Sequence, residues 1–411
     1  MISKFSCQNH PILGDLLLDF CKEDGIPYKN IVLIGENGCG KSTILRLISN
    51  HFAGGRLENS TIECVKQNGE KDNRPLYSIG FCYSSSQTEF SRGNEFDDGN
   101  YKNASDLDEK IYEENCDEKN IKYLLLNIKN NDSLDLMDIA ENESRVSDLK
   151  YQIFQKESRV YRFTNAFNNF FEKIKLVKID CREKKIIFEK NGKNFEMVNL
   201  STGEKQIVMR GASILKNLKK LEGGVVLVDE PEIGMHPRWE KNIMKYYENL
   251  VTINGNQTTQ IIFATHSEFV VEAALNDKEN TLVILLSDIN GKINSQKITG
   301  PFILPTITSA EVNYEAFHIA SKDYHNQLYA YLQKLKDVTN VKNTDDVILQ
   351  SDFYKDEIHS KDSSYRNAHY KTLPTYIRNA IDHPNNGNIF TDDELEKSIE
   401  LLKEICSSST N

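Results

Sequence analysis

A chain of 411 residues is too long for one compact core and points to two or three domains of roughly 150 residues each. Its formal net charge of −11 excludes a uniformly basic nucleic-acid glove, although a sum does not exclude a local basic groove. No apolar run approaches the ~20 residues of a bilayer span, Met1 is not followed by a basic stretch and apolar segment, and the eight cysteines contain no CxxC pair; a cytoplasmic protein without a membrane partner is expected, and zinc-ribbon and thioredoxin readings are excluded.

Residues 1–90 read as strands and turns about one apolar strand, 31–34, that runs straight into a glycine-rich loop. Ile44, Leu45, Leu47 and Ile48 then recur at helical spacing, and 75–83 reads as a further strand. Over 91–120 ten acidic residues face four basic ones among repeated Asn and Gly, the composition of a solvated, weakly cored insertion. Over 141–190 the balance reverses to twelve basic against eight acidic, with Tyr151, Phe154, Tyr161, Phe163, Phe167, Phe170 and Phe171 at helical spacing to about residue 173. This basic, aromatic stretch fits a lid helix with a solvated cationic face, or a contact to a nucleic-acid backbone. The alternating segments that follow predict a hairpin. An α/β rhythm returns over 198–300: a helix start at Ser201, a strand at 225–228, a helix near 239–250, and strands at 261–264 and 281–286. From 309 to 411 the pattern is mostly helical, with breaks at 340–345, 360–364 and 383–388, and Tyr324-His325 reads as a surface or packing feature.

Gly35-Glu36-Asn37-Gly38-Cys39-Gly40-Lys41-Ser42-Thr43 fits the phosphate loop GxxxxGK[ST] and lies between a predicted strand and a predicted helix. Its glycines let backbone N–H groups turn inward on phosphate oxygens. Lys41 supplies a point charge, Ser42 can ligate Mg²⁺, and the helix start adds partial positive charge. A nucleoside triphosphate with Mg²⁺ is the expected cofactor. Asp229 and Glu230 end an apolar strand, where Asp229 can hold the metal through water and Glu230 can polarise the attacking water as general base. Leu200-Ser201-Thr202-Gly203-Glu204-Lys205 opens a helix 28 residues before Asp229, and His266 follows a strand 36 residues after Glu230.

At these residues the chain resembles the ABC-class P-loop ATPases. The segment from Leu200 to Lys205 is similar to the LSGGQ signature, with Thr202 in place of its first glycine and Ser201 and Gly203 retained. The resemblance implies Glu230 as catalytic glutamate, His266 as switch histidine, and Gln87 as the Q-loop glutamine joining Ser42 and Asp229 about Mg²⁺. Asp229-Glu230-Pro231-Glu232 with His236-Pro237 resembles the soluble SMC/OLD-like branch rather than transporter subunits. The implied fold is α/β: an ABC-type P-loop ATPase head built from 1–90 and 195–305, a helical and hairpin insertion at 91–194, and a mostly α-helical C-terminal domain at 309–411. It further implies that Ser201, Gly203 and Glu204 of one copy complete the ATP site of another, giving a homodimer or higher homo-oligomer. The same Ser-Thr-Gly-Glu also fits a capping box. Only about 110 residues separate Gln87 from Ser201, so any arm is short.

Near the C-terminus, Arg378-Asn379 and His383 resemble the RNxxxH motif of HEPN ribonucleases, which work without metal. That resemblance implies His383 as acid/base at a ribose 2′-OH and Arg378 as stabiliser of phosphate charge, with RNA or tRNA as substrate. Arg46 and His51 repeat the spacing inside the phosphate-loop helix, and Arg378 and His383 equally suit a helix end that Pro384 terminates. ABC-type heads joined to such domains resemble antiphage anticodon nucleases; similar heads also resemble the Septu and retron-associated ATPases, where a separate HNH nuclease cuts. The expected function is an antiphage ATPase whose nucleotide-driven dimerisation controls a nuclease. Whether the nuclease is its own or belongs to a partner, an HNH protein or a retron reverse transcriptase with its noncoding RNA, stays open. The short insertion and the acidity count against an SMC-like DNA-binding role.

Overall fold

The computed structural model describes residues 1–55, 59–85, 118–142, 151, 154, 157–216, 221–298, 302–365 and 368–410. The chain divides into two units, Met1–Ile298 and Thr299–Asn411. The first begins with strands β1 (Ile2–His10), β2 (Gly14–Asp19) and β3 (Asn30–Ile34), helix α1 (Lys41–Phe52), β4 (Ser60–Cys64) and β5 (Phe81–Ser84). It continues with α2 (Glu118–Asn142), α3 (Arg159–Phe170), β6 (Ile174–Asp180), β7 (Lys185–Lys190), β8 (Lys193–Glu196), α4 (Thr202–Lys216), β9 (Val225–Asp229) and α5 (Pro237–Val251). The short pair β10 (Thr252–Ile253) and β11 (Asn256–Gln257), then β12 (Gln260–Ala264), α6 (Glu268–Asn276), β13 (Thr281–Ile289) and β14 (Lys292–Ile298) complete it.

The central sheet has six strands in the order β14-β13-β3-β12-β9-β5; all neighbours pair in parallel except β14, which is antiparallel to β13. Because β3, β9 and β12 are covered on both faces, they are buried at every residue, and this is why they read as unbroken apolar runs. Helix α1 lays Ile44, Leu45, Ile48 and Phe52 on Ile31, Leu33, Leu227 and Ile262. Each such side chain contributes roughly 1.5–3 kcal/mol by burial, so packing outweighs helix propensity in placing α1. The antiparallel sheet β2-β1-β4 adds Ile2, Phe5, Leu16 and Leu18 to the same core.

The segment expected as one strand over 75–83 is split. Leu76–Ser78 is a 3₁₀ turn, closed by the Ser78 hydroxyl donating to Pro75 O at 2.7 Å, and the strand starts only at Phe81. In the insertion the expected hairpin forms between β6 and β7, and β8 extends it to three strands. Phe163, Phe167, Phe170 and Phe171 are buried rather than displayed. Phe167 packs at a tilt on Phe171 at 4.7 Å and on Phe188 at 5.3 Å, while Phe170 meets Tyr246 at 5.3 Å, so these aromatics tie α3 to β7 and α5. The acidic segment at 91–117, like Gln87, lies outside the described residues.

The second unit contains α7 (Ser309–Phe317), α8 (Lys322–Leu335), α9 (Val341–Leu349), α10 (Asp356–His359), β15 (Ser360–Tyr365), β16 (Ala368–Thr372), α11 (Leu373–Asp382) and α12 (Asp392–Thr410). Two expected breaks are corrected. The polar run at 340–345 starts α9, with Asn340 as N-cap accepting from Asn343 N–H at 2.8 Å; a cap and a loop share this composition. The run at 360–364 is β15, paired antiparallel with β16. The buried Asp345 explains the hairpin's position: its carboxylate accepts from Lys371 N–H at 2.9 Å, Thr372 N–H at 3.1 Å and the Thr372 hydroxyl at 2.6 Å. The break at 383–388 is present as the turn Pro384–Asn386. Tyr324, Leu328, Leu332, Ile377, Ile399 and Leu402 form the core of this unit. His325 is buried there too, its Nε2 2.9 Å from Ser398 Oγ, and burial holds its pKa down at about 4.

Candidate nucleotide-binding site

The neighbouring strands β3, β12 and β9 are parallel, so their carboxyl ends share one edge of the sheet, where α/β folds place their ligands. The phosphate loop leaves β3 there, Asp229 and Glu230 end β9, and Thr265-His266 follow β12. Gly35, Gly38 and Gly40 have φ of 143°, 88° and 88°, in the left-handed range that favours glycine. A Cβ at Gly35 would lie 2.1 Å from Leu286 O, and one at Gly40 2.3 Å from a Leu13 methyl, whereas nothing comes within 4 Å of Gly38. The loop is therefore packed tightly beneath and open above, and Asn37 and Thr43 belong to the same loop and the first turn of α1.

Lys41 Nζ donates to the carbonyls of Gly35 at 2.8 Å and Glu36 at 2.9 Å and lies 3.5 Å from His266 Nδ1. Burial lowers the pKa of its ammonium. The Ser42 hydroxyl donates to Asp229 Oδ1 at 3.0 Å, and the Tyr83 phenol donates to Oδ2 at 3.3 Å. Burial pushes the Asp229 carboxyl up, against the Ser42 hydrogen bond. Paired hydroxyl and carboxylate oxygens suit Mg²⁺, which completes its octahedron with phosphate and water oxygens rather than a protein cage. Among the described residues no group of three His, Cys, Asp or Glu could hold a metal ion. The open loop above a cationic Lys41, beside this oxygen pair, fits a triphosphate with its metal.

Glu230 itself sits at φ 45°, strained for a residue with a side chain. Its N–H donates to Ala264 O at 2.8 Å. Arg210, only 2% exposed on α4, donates to Asp229 O and Glu230 O, each at 3.3 Å. Glu230 Oε1 lies 3.6 Å from His266 Nε2. Glu232 accepts from His266 N–H at 2.7 Å and from the Thr265 hydroxyl at 2.8 Å, and burial raises its pKa. Burial, then the nearby Lys41 charge, lowers the pKa of His266. Sequence reasoning missed Arg210 and Tyr83 and quoted Glu232 without a task. The available signal for Arg210 was a lone arginine in the apolar run Ile207, Val208, Met209, Ala212.

The capping box is present: Ser201 N–H donates to Glu204 Oε2 at 2.7 Å, and Glu204 N–H to Ser201 Oγ at 3.4 Å. Gly203 is held close to Gly234, where a Cβ would stand 2.8 Å from Gly234 O. Within one chain Ser201 and Glu204 thus bond each other, Gly203 abuts Gly234, and Glu204 lies 3.9 Å from Lys190. In the second unit Arg378 pairs with Asp382 at 2.8 Å and donates to Asn379 Oδ1 at 3.0 Å. The backbone N–H of His383 caps α11 on Asn379 O at 3.0 Å.

Among curated proteins, the chain is 26% identical over 245 residues to the "Retron Ec83 probable ATPase" of Escherichia coli, covering 55% of this chain and 41% of that protein. It is 24% identical over 193 residues to the "Retron Vc95 probable ATPase" of Vibrio cholerae serotype O1 biovar El Tor, covering 43% and 36%. The matched segment thus spans about two-fifths of the length of these relatives. Solved structures similar to it include the "SmcHead bound to the C-winged helix domain of ScpA", at 13% identity and TM-score 0.42, covering 72% of this chain and 97% of that one. The "SMC head domain from Thermotoga maritima" aligns at 16% identity and TM-score 0.36, covering 72% and 98%. Residues 31–272, more than half of the chain, match the family model described as "AAA domain, putative AbiEii toxin, Type IV TA system", and the chain belongs to that family.

Proposed function

We propose that this protein is a Mg²⁺-dependent ATPase of a retron-type antiphage defence system, working as paired heads. The observation that carries this reading is the meeting of Lys41, Ser42, Asp229, Glu230 and His266 at one sheet edge. Bound ATP and Mg²⁺ would supply the phosphoanhydride and a divalent charge beside Ser42 and Asp229. Lys41 exchanges its loop carbonyls for phosphate oxygens. Glu230, with its backbone fixed by Arg210, takes a proton from water. His266 lies beside it, and its depressed pKa keeps the imidazole neutral near pH 7. Gln87 is proposed as a further Mg²⁺ contact on the resemblance alone. The resemblance of Leu200–Lys205 to the signature supports completion of the site by a second copy. The partial positive charge at the start of α4 is suited to a phosphate. Steady-state phosphate release tests the reading: Lys41→Ala should abolish turnover, and turnover at the wild-type rate would refute the site.

For the nuclease, the pairing of Arg378 with Asp382 and Asn379 on its own helix favours an ATPase that controls a partner nuclease, of the HNH type or within a retron complex. Cleavage of tRNA by the purified chain with Mg²⁺-ATP, lost in His383→Ala, would instead establish the second unit as the nuclease. Equal inertness of both proteins supports the partner reading.

A further inference from the structure

Beside the signature segment lies a cavity of about 300 Å³, at the lower end of the size range of small-molecule sites. Phe170, Phe171, Ile174 and Trp239 give it an apolar wall, with Phe171 and Trp239 meeting edge to face at 4.9 Å. Three cations, Lys173, Lys190 and Arg238, line it at exposed positions. Glu204 also lines it, and Lys190 Nζ approaches Glu204 Oε1 at 3.9 Å while Oε2 holds Ser201 N–H. Aromatic faces beside cations are the combination that receives a base and its phosphate without reading sequence. The exposed Glu172 lines the cavity too, but the three cations outnumber the two carboxylates; an aliphatic ligand would not use Lys173 and Arg238, and a bare anion would not use Trp239.

We propose that this cavity binds one nucleotide unit, its base against the half-buried Trp239 and its phosphate on Lys173, Lys190 and Arg238. The unit can come from a free nucleotide or from single-stranded nucleic acid. A phosphate there competes with Glu204 for Lys190, so occupancy reaches the capping box that sets Ser201. This gives the ATPase an input separate from the phosphate loop, and the binding itself does not depend on hydrolysis.

Trp239 is the only tryptophan of the chain, so its fluorescence reports the cavity directly. Without ATP, the protein is titrated with a 5′-hydroxyl oligothymidylate, which has no polyphosphate for the phosphate loop, and in parallel with thymidine monophosphate. Saturable quenching by the oligonucleotide, weaker at higher salt, is expected, with affinity falling roughly tenfold in Arg238→Glu or Lys190→Glu. Equal quenching by the monophosphate assigns the site to free nucleotides; quenching by the oligonucleotide alone assigns it to a strand. Quenching by neither, or affinity unchanged in both charge-reversal variants, overturns the proposal. Phosphate release measured on the same samples keeps failure of this site distinct from failure of the ATPase reading.

Discussion

Replacing Arg210 with methionine should slow ATP hydrolysis about thirtyfold while leaving the fold intact. The guanidinium joins α4 to the end of β9 by two hydrogen bonds of 3.3 Å, onto the carbonyls of Asp229 and Glu230. At that length each is worth about 1 kcal/mol, below the usual value for a charged donor. Holding a non-glycine residue in the left-handed region costs roughly 1–2 kcal/mol, and Glu230 stands there at φ 45°. Without Arg210 that strain is no longer offset, and the Glu230 carboxylate leaves its position beside His266. A loss of about 2 kcal/mol in the barrier corresponds to roughly thirtyfold in kcat. Stability should change little, since the substitution also removes a buried charge that costs free energy to desolvate. Arg210→Lys, able to reach one carbonyl, should fall between. The assay is phosphate release at saturating Mg²⁺-ATP, with urea unfolding in parallel. Wild-type kcat in Arg210→Met, or a defect confined to KM, would refute the reasoning.

Gly211→Ala should destabilise the first unit by about 2 kcal/mol, although alanine favours a helix by roughly 1 kcal/mol. The new Cβ would stand 2.0 Å from Tyr246 Oη and 2.8 Å from the Phe163 ring, displacing a phenol that donates to Ile207 O at 2.8 Å. A higher urea midpoint in the variant would contradict this packing. His325 makes the second unit sensitive to acid: burial holds its pKa at about 4 when folded, against about 6.5 for an ordinary histidine, so the unfolded chain takes up the proton first as pH falls. Stability is thus full above pH 6.5 and declines below it, by about 2 kcal/mol at pH 5. His325→Gln should show that much less decline between pH 7.5 and 5 in denaturant titrations, and an identical decline would exclude His325 as the cause.

The elements carrying the site were readable because their local chemistry coincides with their tertiary task. Gly35, Gly38 and Gly40 are required by backbone geometry, and β3, β9 and β12 announce themselves as apolar runs because both faces are covered. What escaped depends on contacts distant in sequence. Arg210 acts 19 and 20 residues away on two carbonyls, and carbonyls leave no trace in a sequence. Tyr83 reaches Asp229 across 146 residues. The hairpin β15–β16 looked like a break since its residues are polar and its register is tied to the buried Asp345. The start of α9 reads as a loop in the sequence because Asn340 is equally at home in a loop and a cap. The phenylalanines of the insertion have helical spacing whether displayed or buried; Phe188 and Tyr246 decide that they are buried.

The most direct test of the paired-head account is the mass in solution of Glu230→Gln, which should hold ATP without cleaving it. On addition of Mg²⁺-ATP the single-chain species should shift to twice its mass, and adding Ser201→Arg to the same protein should abolish that shift. A Glu230→Gln protein that stays a single chain at saturating Mg²⁺-ATP, alongside a wild type whose specific activity does not depend on protein concentration, would contradict it.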